Sequence, residues 1–274
     1  MGTVELSVAD LARTLEYWQR EIGLRVLEQR DGWASLGTDT EVVRFLEEPG
    51  AQPDTGHTGL YHVALLVPDR PSLARWLAHA ARDRVSLTGL SDHAVSEAIY
   101  LRDPDHHGIE IYADRPRELW EGRVGELLTT FPLDVDSLLG ELDDPAAEPF
   151  DGLPDGTVVG HTHLRVADID SSIAFYRDVL GFPLTGELPT MAAFLGAGGY
   201  HHHVGANVWE SAGAPPAPPG TATLKHATIV LPDGEELDRV AGRVADAGQE
   251  PEPRTDGVLV RDPSANRLLL AART

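Results

Sequence analysis

Residues 91–112, SDHAVSEAIYLRDPDHHGIEIY, carry a histidine, a tyrosine and a carboxylate (His93, Tyr100 and Glu110) along what reads as two short strands joined by the turn DPDHHG. Side chains alternate across a strand, so Gly108, Glu110 and Tyr112 share one face while Ile109 and Ile111 share the other. Core packing therefore does not need Glu110, which is either solvated at a sheet edge or free for chemistry. In a second predicted strand, GLYHVALLV (59–67), His62 lies on the face of Leu60 and Ala64. In a third, VVGHTHLRV (158–166), His161 shares a face with His163 and Arg165. Taken singly, each histidine is as readily a structural or surface residue as a ligand. Together with Glu110 they supply two imidazoles and one carboxylate, the set that holds Fe(II) on one face and leaves positions open for substrate and oxygen. The same set holds Mn(II), or Zn(II) with one water.

The stretch GGYHHHVGANVW (198–209) is the other chemical anomaly. Read as a strand, it sends His201, His203 and Asn207 one way and His202 the other. The plain alternative is an adventitious surface metal site. His106 and His107 fall in a turn and His57 in a loop, so they read as solvated, while His79 lies within a helix and has no role. The chain has no cysteine, which excludes disulfides, thiolate catalysis and Cys-ligated metal and leaves histidine and carboxylate as the strong ligands.

The elements that must position these residues repeat. VADLARTLEYWQREIGLRV (8–26) aligns with VADIDSSIAFYRDVLGFPL (166–184): a short strand, an Asp at the N-cap, one apolar helical face and a Gly stop at Gly23 or Gly181. HVALLVPD (62–69) aligns with HATIVLPD (226–233), and LRDPDHHGIEI (101–111) with VRDPSANRLLL (260–270). The spacing predicts four strand-helix-strands modules, at 1–50, 58–114, 157–210 and 222–274. The first pair occupies 1–115 and the second 157–274. Between them, 116–156 is a linker with a short helix at 134–142 and an acidic, Pro-containing end. EEPGAQPDTGHTG and ESAGAPPAPPGTA read as loops between modules.

Composition narrows the partners. The 22 basic and 44 acidic residues give a net charge of -22, which repels phosphate backbones and anionic lipid, so nucleic acid and membranes are poor partners. No apolar run reaches the ~18 residues a spanning helix needs, and the N-terminus lacks the pattern of a signal peptide, so a soluble, cytoplasmic protein is expected. A homo-oligomer is left open.

The module repeat, with VADIDSSIAFYRDVLGF, YHVALLVPD and DPDHHGIEIY, resembles the vicinal oxygen chelate superfamily of glyoxalases, antibiotic-resistance binding proteins and extradiol dioxygenases, over essentially the whole chain apart from the linker. HHHVGANVW, SDHAVSEAIY and the Glu of GIEIY are most similar to catechol 2,3-dioxygenases. The resemblance implies an α+β fold of four βαβββ modules forming two cupped mixed sheets. It also implies Fe(II)-dependent extradiol cleavage of a catechol by O2 to a muconic semialdehyde. Carried onto this chain, it makes His62, Glu110 and His161 the iron ligands and His203 the acid/base, because the pattern His-x-x-Ala fits His203 to Ala206. His93 becomes a second-sphere residue and Tyr100 a hydrogen-bonding one, with His201, Asn207 and Trp209 at the substrate and the loop 214–219 beside Trp209. The usual two-domain members carry these residues in their C-terminal half. Here they are split between modules two and three, with Thr3 and Leu269 at the equivalent positions of modules one and four, so the metal site is expected to span the two halves. The alternatives are a glyoxalase-like lyase or isomerase with another metal, and a metal-free drug-binding protein.

Overall fold

The structure, a computed structural model, describes residues 1–127 and 129–273. Each module begins with a strand whose end carries an Asp that caps the following helix. Asp10, Asp69, Asp168 and Asp233 all have extended backbones and accept from the N–H three residues on, satisfying an otherwise orphaned donor of the first turn. In modules one and three the helix ends in a wider π turn, Trp18–Ile22 and Phe175–Val179. Gly23 and Gly181 follow with φ of 92° and 88°, where a side chain would be strained.

The repeat extends to the turn before each last strand of modules two and four. Asp103 Oδ1 accepts from the Asp105 and His107 N–H groups, and Asp262 Oδ1 accepts from those of Ser264 and Asn266. The second carboxylate oxygen of each reaches the helix of the preceding module, where Trp18 Nε1 and the Tyr176 hydroxyl donate to it. These buried bonds tie module one to two and module three to four. They also correct one expectation. His107 is not solvated but buried, its Nε2 bonded to the Ser7 carbonyl at 2.8 Å.

The sheets are built differently, one module from each half. An eight-stranded sheet joins modules one and four through the antiparallel pairing of Val4–Val8 with Leu224–Leu231. A nine-stranded sheet joins modules two and three through Gly59–Leu66 and Val158–Arg165. Both sheets are mixed: the first and last strands of each module run parallel, as Gly59–Leu66 does with Gly108–Asp114, and the rest antiparallel. The fold is thus the expected α+β arrangement of four modules in two curled sheets. The halves 1–115 and 157–274 therefore each contribute strands to both sheets. The linker contributes the edge strand Phe131–Pro132 and the helix Val135–Leu139, capped by Asp134. Among the described residues no helix is long and apolar enough to cross a membrane.

Candidate metal centre and its cavity

The nine-stranded sheet brings three of the sequence-selected side chains to one point. His62 stands on Gly59–Leu66, Glu110 on the neighbouring Gly108–Asp114 and His161 on Val158–Arg165, which flanks Gly59–Leu66 on its other edge. All three are at most 5% exposed. The His62 and His161 Nε2 atoms are 3.3 Å apart, and Glu110 Oε2 lies 2.9 Å from the first and 3.2 Å from the second. Three donors at such separations are what ligands about 2.1 Å from a single ion show when they meet at near right angles. Two N donors, one O donor and a free side toward a cavity fit Fe(II) or Mn(II).

The electrostatics suit that use. Burial raises the cost of charging Glu110, yet the facing His161 and His62 outweigh it and hold the carboxyl well below its usual range. Burial pushes the His161 imidazole down to about 4, against the pull of Glu110. At neutral pH the pair is a carboxylate beside a neutral imidazole, which are the protonation states ligands must have.

Two irregularities in the ladder aim these side chains. Val159 pairs with Leu65 but His161 with Ala64, so Gly160 is an extra residue in its strand; the Tyr112 hydroxyl occupies the space a side chain at 160 would fill. A second shift falls beside His62. His163 faces His62 while Leu164 faces Leu60, leaving Tyr61 unpaired. A bulge of this kind re-aims side chains, and both Tyr61 and His62 consequently line the cavity.

That cavity measures about 590 Å3. Tyr100 and His93 stand on one wall, with His93 Nε2 2.7 Å from the Tyr100 hydroxyl. His93 Nδ1 donates to the Thr129 carbonyl at 3.2 Å, which fixes Nε2 as the acceptor for Tyr100. Burial, then the nearby Glu110, raises the Tyr100 phenol well above its usual range, so it stays protonated.

The histidine run departs from expectation. The strand begins at Val204, after the run, so strict alternation does not govern it. His201 and His202 both line the cavity, and His203 does not. The His203 ring turns toward Phe182 and Tyr200, and its Nδ1 accepts from the Ala197 N–H at 3.2 Å. The imidazole beside His161 is that of His202, whose ring centre is 4.1 Å away. His202 is held by a chain: Asp114 Oδ1 lies 2.8 Å from His201 Nε2, and His201 Nδ1 lies 2.9 Å from His202 Nδ1. If His201 donates to the carboxylate, its Nδ1 must accept from His202, which leaves a lone pair on His202 Nε2.

Of the other expected residues, Trp209 lines the cavity, with its ring edge-on to Tyr61. Asn207 does not reach it: it is fully buried, and its Oδ1 accepts from the Trp209 N–H. The loop 214–219 is likewise absent from the wall, which is completed by Val124, Leu127, Thr129 and Thr130 of the linker. Sequence reasoning also passed over Tyr61, Phe194 and His163. Alternation from His161 already put His163 on the right face. Burial holds its imidazole well below the usual range, and its Nε2 has no partner among the described residues.

Residues 1–111 and 158–270 match the family model of the Glyoxalase/Bleomycin resistance protein/Dioxygenase superfamily. The chain belongs to that superfamily. It is 44% identical over 270 residues to the Catechol-2,3-dioxygenase of Bacillus subtilis (strain 168), covering 96% of this chain and 93% of that relative. It is therefore a catechol-2,3-dioxygenase-like member of the superfamily. Among solved structures, a putative dioxygenase from Bacillus subtilis aligns with 99% of this chain and 85% of its own at a TM-score of 0.67 and 15% identity. Glyoxalase I from Zea mays aligns with 99% and 92% at 0.63 and 17%. At such identities the structural likeness speaks for the fold alone.

Proposed function

We propose that this protein cleaves the ring of a catechol beside its two hydroxyls, using O2 and an Fe(II) held by His62, Glu110 and His161. The observation that carries the reading is the convergence of two imidazole nitrogens and one carboxylate oxygen within 3.3 Å of one another, in a chain 44% identical to a catechol-2,3-dioxygenase. Held by these three residues, the ion would supply Lewis acidity toward the diol and a redox centre for O2.

The protein's own groups do the rest. One carboxylate and two neutral imidazoles carry a single negative charge, leaving a divalent ion with a net positive charge that favours an anionic diol. His202 takes the acid/base role expected of His203. Its Nε2 accepts the second hydroxyl proton and returns it as the O–O bond breaks, a service worth roughly 10² to 10⁴ in rate. The Tyr100 hydroxyl, kept protonated and donating to His93 Nε2, accepts a hydrogen bond from a substrate hydroxyl. His163 Nε2, buried and unpartnered among the described residues, offers a further hydrogen bond. Tyr61, Phe194 and Trp209 flank the ring and exclude water.

Anaerobic loading with Fe(II) or Mn(II) in parallel, followed by catechol under air, tests the reading. A yellow semialdehyde with stoichiometric O2 uptake is expected from the iron form. Colourless product, or full function after chelation, would refute it.

A further inference from the structure

The cavity is larger than the reaction needs. Catechol has eight non-hydrogen atoms and occupies about 130 Å3 at the packing density of a protein interior, whereas the cavity offers about 590 Å3. Volumes of this size hold ligands several times larger than a bare diol. The surplus is bounded by apolar side chains. Leu188, Trp209 and Phe194 line one side, and Val124 and Leu127 of the linker line another.

The apolar surface continues past the mouth. Leu188 is 39% exposed, Trp209 44% and Met191 49%. The Met191 N–H bonds to the Leu188 carbonyl, and the Met191 carbonyl accepts from the N–H of Val208, next to Trp209. The three therefore sit side by side. Single exposed apolar residues are unremarkable, but a contiguous group at a cavity rim marks a place where apolar ligand surface is covered.

Charge argues in the same direction. Among the described residues lining the cavity the sole Lys or Arg is Arg102, and its guanidinium is engaged by the His106 carbonyl at 3.2 Å and faces Glu210 at 3.8 Å. A carboxylated substituent would find no free cation there and would approach a chain of net charge -22, which repels it.

We infer that the substrate is a catechol bearing a bulky, uncharged apolar substituent, an aryl or branched alkyl group, which fills the surplus volume and leaves over the Leu188, Met191 and Trp209 rim. This inference rests on the ring-cleavage reading and names its substrate class.

Two measurements test it. On the Fe(II) enzyme, kcat/KM is compared for 3-phenylcatechol, 4-tert-butylcatechol, catechol and protocatechuate. On the metal-free chain, calorimetric Kd values are compared for 2-hydroxybiphenyl and phenol. The apolar-substituted catechols should exceed catechol roughly tenfold or more, the step that even small apolar groups produce in a fitting pocket, with protocatechuate lowest. 2-Hydroxybiphenyl should likewise bind at least about tenfold tighter than phenol. Leu188→Glu combined with Met191→Glu should lower the ratio of 3-phenylcatechol to catechol efficiency by about tenfold. Equal efficiency across the series, or preference for protocatechuate, would overturn the inference while ring cleavage stands. If no catechol is cleaved, the calorimetric comparison still decides it: equal affinity for the two phenols removes the apolar subsite, and the tighter binding keeps it.

Discussion

Replacing His202 and His203 one at a time by phenylalanine separates the two candidates for the acid/base. His202 packs against His161 with ring centres 4.1 Å apart, lines the cavity and is tethered through His201 to Asp114. Phenylalanine there keeps the ring volume and removes the nitrogen. Turnover of catechol should fall by roughly 10² to 10⁴, the worth of a positioned acid/base group, while iron stays bound because His202 is not one of the three donors. Among the described residues the His203 ring bonds only the Ala197 N–H, on an exposed loop. His203→Phe should therefore cost about 1 kcal/mol of stability and leave kcat within about threefold of the parent, an effect set by that bond alone. The assays are O2 uptake, iron per chain by colorimetry and urea unfolding. A His202→Phe enzyme at near parental kcat, or a His203→Phe enzyme that has lost its turnover, would refute the assignment. Loss of iron from His202→Phe would make His202 a ligand.

Tyr100→Phe removes one hydrogen bond worth about 1 to 2 kcal/mol, so a roughly tenfold drop in kcat is expected at unchanged iron content; an unchanged rate would take Tyr100 out of the site. In the metal-free chain, stability should fall as pH is lowered from about 6.5 toward 4. Burial holds the folded-state pKa of His161 at about 4 against 6.5 unperturbed, and an unfolded state that binds more protons gains on acidification. Glu110, held below its usual range, acts in the same direction at still lower pH. Urea midpoints across that interval check the sign, and a flat profile would refute it. A chelator in excess should lower the unfolding midpoint of the Fe(II) protein but not of Glu110→Ala, because an ion that binds only the native state stabilises it. Because Gly59–Leu66 pairs with Val158–Arg165 within one chain, mixing Glu110→Ala with His161→Ala chains should restore no activity, and restoration would mean that sites form between chains.

The candidate metal centre was legible because its three residues obey simple rules. Alternation separated Glu110 from Ile109 and Ile111, and the module repeat put His62 and His161 on strands of equivalent rank. Registers in the other sheet confirm the equivalence. Thr228 pairs with Leu269 where Ala64 pairs with Glu110, and Thr3 lies by Thr228 as His161 lies by Ala64. What was not legible depended on departures from regularity. The histidine run precedes its strand, so the alternation that grouped His201 with His203 does not hold there, and the pattern His-x-x-Ala that selected His203 says nothing of which ring faces the cavity. The unpaired Tyr61 joins His62 in the cavity only because the ladder shifts there. His107 is buried by a carbonyl of module one, a contact 100 residues away in sequence. The linker's part of the cavity wall comes from short turns without periodicity, which leave no hydrophobic pattern to read.

The most direct test of the central claim is an anaerobic Fe(II) titration of the parent chain and of His62→Ala, Glu110→Ala and His161→Ala, each then exposed to catechol and air. One iron per chain and a yellow product are expected from the parent, and neither from any of the three variants. A variant that still binds stoichiometric iron and opens the ring would contradict the account, as would loss of iron from His226→Ala in the other sheet.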